Sequence, residues 1–440
     1  MQARAWIGVG AAAAALQAAL FVLDRARGGR LPWADETMYW RAAGRVLERG
    51  DSGLELLWPP LQTWVVAGIR ALGGRGTAVT LVQIGLLALA AVALRRALTA
   101  AGAERRVADG AVALLLLYPT AGAFAHYLWP EVLHLALFCL ALWLLAARRE
   151  DAWACATLGS VLGLAVLAKS LLVPVLPLFV LVPALSGRRR LLRAGLVAAT
   201  LAAVLAPTAW LNRQRHGSAF IGSSARFNLW VGLNDRGRPD FADDSTLEAW
   251  QEWRRSGETY AAREAATARR IRELVAERGP WRILVDQARR QYFRLFGLSS
   301  FLTEQLPGGG IHARGRGYRD PPPRLAAVVG WSHRLVYPAV ALLAPWGLVC
   351  GLRRREPWAV AAAVLLAYAL AIFLLLHVKS RYRIQLLPAL LPAATLGGLR
   401  LLDGLRAMRG AHGTASRLDA TEVAIGTAAS ALMALLVFGG

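Results

Sequence analysis

Apolar stretches of 16 to 22 residues, nearly free of charge, recur from one end of this 440-residue chain to the other. At about 1.5 Å per helical residue, such runs come close to or reach the length needed to cross a hydrocarbon layer roughly 30 Å thick. A soluble core of this length would interrupt such runs with polar positions at helical spacing. Hydrophobic residues make up 56% of the chain and the mean hydropathy is positive, which agrees with a membrane origin for the pattern. In lipid, backbone groups must be satisfied within each segment, so the expected class is an all-α polytopic membrane protein forming a single membrane-embedded domain. Eleven spans are expected, near residues 5–23, 77–95, 107–124, 130–147, 152–168, 171–186, 193–211, 326–352, 357–376, 384–402 and 420–438. The first is read as a span rather than a signal peptide, because it is long, lacks a cleavage site and is followed by many more.

A net charge of +23 would point to nucleic acid in a soluble protein. Here the arginines gather at the ends of apolar runs, where the positive-inside rule puts them. The clusters are Arg95, Arg96, Arg105 and Arg106; Arg148 and Arg149; Arg188, Arg189, Arg190 and Arg193; and Arg353, Arg354 and Arg355. Taking these as cytoplasmic sets the N-terminus inside and leaves two large outer segments, residues 24–76 and 212–325. Cys139, Cys155 and Cys350 are scattered through spans and form neither a disulfide framework nor a metal cluster.

The first outer segment opens a helical pattern at Asp35-Glu36, with Tyr39, Trp40, Ala43, Val46 and Leu47 on one face. An amphipathic helix at the membrane interface follows from that pattern. The two acids have two readings: complements to the positive end of the helix, or a general base beside the membrane. Trp58-Pro59-Pro60-Leu61 then starts an apolar run to Leu72 that is too short to span. His126-Tyr127-Leu128-Trp129-Pro130-Glu131 opens the fourth span. An acid at that depth calls for a partner.

Only two of the 51 basic residues are lysines, Lys169 and Lys379, and both stand at outer span ends, each followed by Ser. In so arginine-biased a chain, a retained Lys suggests a need for a compact ammonium rather than a planar fork. Lys379-Ser380-Arg381-Tyr382-Arg383 puts three cations on the side where positive charge is disfavoured. Snorkelling to headgroups is one reading, and a bound phosphate is the other. In the second outer segment, Trp281, Leu284, Val285, Ala288, Tyr292, Leu295 and Phe296 line one face of a helix expected to lie on the membrane. Arg226 to Asp235 mixes Asn228, Gly232 and Asn234 with aromatics, suited to sugar contacts or to an ordinary turn.

These elements, in this order and placement, resemble the GT-C superfamily of membrane glycosyltransferases, specifically bacterial relatives of protein O-mannosyltransferases and of the lipid A aminoarabinose transferase. The resemblance spans about 400 residues. It implies a GT-C bundle with an outward-facing cavity, in a bacterial inner membrane, and inverting transfer from a polyprenyl-phosphate sugar to a lipid, glycan or protein acceptor. Asp35 would be the catalytic acid residue of the first outer loop, with Glu36 beside it and Glu131 orienting acceptor or cation. Lys169, Lys379, Arg381 and Arg383 would hold the donor phosphate, and His126, Tyr127, Asn228 and Asn234 would contact sugar or acceptor. The residues before the two prolines, Leu57 and Trp58, depart from the family's usual polar pair, so a divalent metal is left open and no other cofactor is expected. Acceptor recognition is expected from residues 212–325, since no further soluble domain follows the last span. A lipid-linked sugar flippase would show inverted repeats, which are not evident. An O-antigen polymerase or ligase would not call for Asp35-Glu36 directly after the first span.

Overall fold

The computed structural model describes residues 2–25, 35–52, 57–147, 151–182, 189–222, 224–234, 244–298, 322–408 and 420–439. Arg148, Arg149, Arg188 and most of the Gly/Pro-rich stretch 307–323 lie outside them. Among the described residues there is helix and no strand. The chain is an all-helical, multi-pass membrane protein, with seven helices long and apolar enough to cross a bilayer.

In chain order these crossing helices are α1 (Gln2–Arg25), α4 (Gly76–Ala100), α10 (Arg190–His216), α15 (Pro323–Arg353), α16 (Pro357–Leu375), α17 (Leu387–Met408) with the 3-10 turn Ser380–Leu386 before it, and α18 (Ala420–Phe438). The other four expected spans are shorter helices inside the bundle. The run 107–124 is split into α5 (Arg105–Leu117) and α6 (Pro119–Phe124). Pro119 has no N–H to continue the ladder, and Tyr118 before it is extended, with φ −76° and ψ 109°. Helices α7 (Glu131–Ala146) and α8 (Ala152–Ala168) hold 16 and 17 residues. The Pro-rich sixth run becomes a 3-10 turn, Ser170–Val175, and a short α9 (Leu176–Leu181).

Helix α7 packs along α4 and α8, α8 along α10, and α15 along both α17 and α18. Glycines bring α15 close against α17. A Cβ on Gly347 would lie 1.8 Å from the Ala393 carbonyl oxygen, and one on Gly397 would lie 2.2 Å from that of Leu343. Only glycine permits the two backbones to meet this way, as in small-residue contacts between membrane helices generally.

Two groups of non-spanning helices complete the structure. Helices α2 (Asp35–Arg49) and α3 (Leu61–Ala71) form a hairpin, closed by Arg70, which donates to the Trp40 carbonyl at 2.7 Å and lies over the Trp40 ring at 4.5 Å. Tyr39 and Ala43 of the expected apolar face are buried, whereas Leu47 is exposed. The second group is α11 (Ala225–Asn234), α12 (Asp244–Arg255), α13 (Tyr260–Arg278) and α14 (Pro280–Phe296). The turn considered for residues 228–234 is thus a helix. Phe227, Trp230 and Val231, at helical spacing, supply a buried stripe that outweighs the turn preference of Asn and Gly. On α14, Leu295 and Phe296 are buried as expected, but Trp281 and Val285 are exposed and Gln287 and Gln291 turn inward.

Candidate active site

Both lysines sit where a helix ends and a 3-10 turn begins. Lys169 follows α8 with φ −160° and ψ 125°, and Lys379 precedes Ser380–Leu386 with φ −124° and ψ 150°. These extended residues break the helical path and turn the chain back on itself at one end of the bundle. The turn that follows Lys379 is tight, and it sends its two arginines different ways. Arg383 is buried, donates through Nε to the Ser380 carbonyl at 3.1 Å and lies 4.3 Å over the Tyr337 ring of α15. Arg381 goes instead to the acids.

There a charge network forms among residues far apart in the chain. Arg381 donates through one terminal nitrogen to Asp35 Oδ2 at 2.6 Å, and its Nε lies 3.7 Å from Glu131 Oε1. The same oxygen of Glu131 accepts from Lys169 Nζ at 3.2 Å. Aromatic faces enclose the cations: Lys169 lies 4.5 Å over the Tyr382 ring, and Arg381 lies 5.1 Å over Trp129. The buried Glu131 is 2% exposed, so its charge depends on these two partners. Its second oxygen, Oε2, is buried with no hydrogen-bond partner among the described residues.

Asp35 is the most accessible acid of the group, at 36% side-chain exposure. Burial by its surroundings would raise its carboxyl, but Arg381, then Lys379 and Lys169, outweigh that and hold it below the usual carboxylate range. It is ionised at neutral pH and lies beside cations that can receive a phosphate.

A set of amides and one acid fixes the chain around this network. Glu36, 1% exposed, accepts from the Leu128 backbone N–H at 2.8 Å, which ties α2 to the segment leading into Glu131. Gln62 of α3 donates to the Leu128 carbonyl at 3.2 Å, and Gln83 of α4 donates to the Tyr127 carbonyl. Gln385 bonds His134 and donates to the Glu131 carbonyl at 3.5 Å. On the far side, Gln291 accepts from the Val378 N–H at 2.9 Å, and the His377 N–H donates to the Asn228 carbonyl at 2.9 Å.

Of the residues singled out from sequence, the structure brings Asp35, Glu131, Lys169 and Arg381 into contact, with Lys379 near enough to act on Asp35 through its charge. The others stand apart. Glu36 is a brace, and Arg383 faces α15. His126 is buried and bonds Gln17 of α1 at 2.9 Å, while Tyr127 stacks on Trp129 in the interior. Asn228 contributes a backbone carbonyl, and Asn234 ends α11. Sequence reasoning missed Trp129 and Tyr382 as walls of the network and Gln62, Gln83 and Gln385 as its supports. Glutamine inside apolar runs was the signal available. Among the described residues no three His, Cys, Asp or Glu side chains gather as a metal site. The two network acids already face cations.

No family profile and no curated protein matches the chain. One solved structure does. The chain is similar to the archaeal oligosaccharyltransferase AglB from Archaeoglobus fulgidus, in complex with an inhibitory peptide and a dolichol-phosphate. The TM-score is 0.47 at 15% identity, over 96% of this chain and 54% of that one. This chain therefore spans about half the length of the structure it matches.

Proposed function

We propose that this protein is a membrane glycosyltransferase of GT-C type, which transfers a sugar from a polyprenyl-phosphate carrier to a lipid, glycan or protein acceptor. The site would face the outer side of a bacterial inner membrane. The observation that carries this reading is the Asp35–Arg381–Glu131–Lys169 network: an accessible, ionised acid held against cations where loops converge at the end of an apolar bundle.

Transfer asks for two things side by side. An acceptor hydroxyl attacks the anomeric carbon, and Asp35 takes its proton as the new C–O bond forms. The bond from that carbon to the carrier phosphate breaks, the electron pair stays on the phosphate, and Lys169 and Arg381 stabilise the growing charge. Attack opposite the leaving group inverts the centre. Arg381 links the two halves of the event. When it engages phosphate, its hold on Asp35 weakens, and the carboxylate becomes a stronger base at the moment it is needed.

The test is transfer of label from polyprenyl-phosphate sugars by the protein in nanodiscs, compared with Asp35→Asn and Arg381→Ala. Loss of transfer in both variants, with the fold retained, supports the assignment. If the wild-type protein carries the lipid across the bilayer with no transfer, and Asp35→Asn does the same, a flippase replaces the enzyme.

A further inference from the structure

A cleft of about 230 Å³ lies beside α3, with Trp64 in its wall. Its walls come from the end of α2, from Trp58 to Trp64, and from the last turns of α10 with the loop that follows. That volume is below the roughly 300 Å³ at which drug-sized ligand pockets begin. The cleft suits one compact ring rather than a lipid tail.

Its construction is specific. Arg45 grips the Ser52 carbonyl twice, at 3.1 and 2.8 Å, and fixes one rim. Asn212 donates to the Phe220 carbonyl at 2.7 Å and folds the opposite rim inward. Gly222, at φ +56°, lets that rim press on Pro59, since a Cβ there would lie 2.5 Å from the proline ring. Two indoles face the space: Trp58, which is backed on its neighbour Trp250 at 5.2 Å, and Trp64, which is 38% exposed. Asp51, Asn212 and Arg215 add planar polar groups. Thr208 lines the floor, 5% exposed, and its Oγ1 has no hydrogen-bond partner among the described residues.

We propose that this cleft is a saccharide-binding subsite that seats a neutral sugar ring of the acceptor. A pyranose presents C–H groups on its faces and hydroxyls round its edge, so it stacks on indoles and bonds to planar polar groups at the rim. A phospholipid headgroup fits less well, because Asp51 opposes the pull of Arg215 on its phosphate, and a free acyl chain would leave the polar groups unpaired. The inference rests on the glycosyltransferase reading and narrows its acceptor to a glycan. It also gives α3 two working faces. Gln62 holds the segment that carries Glu131 while Trp64 lines the cleft, about one helix diameter of ~10 Å away. An acceptor of several linked rings would reach from one to the other.

The test is saturation-transfer-difference NMR of mannotriose, chitotriose and maltotriose with the full-length protein in nanodiscs, which avoids sugar-headed detergents. Ring-proton signals are expected with at least one probe, and should fall at least fivefold in both Trp64→Ala and Arg215→Ala. They should persist in Trp64→Phe, which keeps an aromatic face. No signal with any probe in the wild-type protein, or equal signals in wild type and Trp64→Ala, overturns the subsite. The readout needs no turnover. Saccharide binding without transfer would count against the enzyme and leave the subsite standing, and transfer without saccharide binding would do the reverse.

Discussion

Replacing Glu131 by Gln removes one charge from the centre of the network and keeps its shape. Lys169 and Arg381, 3.2 and 3.7 Å from Glu131 Oε1, then face each other with Asp35 as the remaining acid in contact. Breaking a buried ion pair from one side costs about 3–5 kcal/mol. Lys169 and Arg381 keep 18% and 15% of their side-chain exposure, and Arg381 retains Asp35, so the lower end, about 3 kcal/mol, applies here. An unfolding entropy of roughly 2.1 cal/mol/K per residue over this length converts that into a fall of about 3 °C in Tm. Thermal unfolding in nanodiscs reads it directly. The sharper measurement is the cycle with Lys169→Met. If Glu131 and Lys169 offset each other's burial, the double variant should fall short of the summed single losses by about 1 kcal/mol. A single-variant loss under half a degree, or strict additivity, would refute the reasoning.

Four further outcomes are expected. Asp35→Asn should lower transfer by roughly 10²–10⁴-fold, measured as initial rate with labelled carrier, with a smaller fall in Tm than Glu131→Gln. Because the folded state holds Asp35 below its ordinary value of 3.8, its stabilising effect is complete above that value and lost as pH falls through the lower folded one. The acid limb of the rate–pH profile should accordingly lie below the usual carboxylate range, and Arg381→Lys, which cannot fork to both acids, should move it upward in a profile of residual activity. Glu36→Leu strands the buried Leu128 N–H and should cost about 1–3 kcal/mol in Tm-derived stability, whereas Glu36→Gln keeps an acceptor and should cost less. A catalytic Glu36 would instead lose transfer in both. Gly347→Val should prevent α15 from seating on α17, and is expected to lower the yield of monodisperse protein in size-exclusion chromatography.

The spans were legible because hydrocarbon leaves so few choices: seven of the eleven expected runs are helices long and apolar enough to cross, and the other four are shorter or broken helical segments. What length alone did not show was the break at Tyr118-Pro119, or that α7 and α8 end after 16 and 17 residues. At the site, the oddity of two lysines among so many arginines led to Lys169 at the network and to Lys379 beside it. The depth of Glu131 announced that it needed a partner. The partner's identity was not readable, since Arg381 and Asp35 are 346 residues apart and no local spacing joins them. Glu36 shows the opposite limit: adjacent acids look alike in sequence, but helical geometry turns one toward the cations and buries the other against the backbone N–H of Leu128. The turn considered around Asn228 is a helix because turn propensity is weak against the packing of Phe227, Trp230 and Val231.

The glycine contact between α15 and α17 has a mechanical consequence. It fuses two backbones into a single beam, and Arg381 hangs from the end of that beam. The Asp35 side is made differently, as a short hairpin fastened by side-chain bonds from Glu36, Gln62 and Arg70. The site is thus a vice with one fixed jaw and one sprung jaw, and on the proposed reading it is the α2–α3 jaw that would yield when a lipid-borne donor enters or leaves.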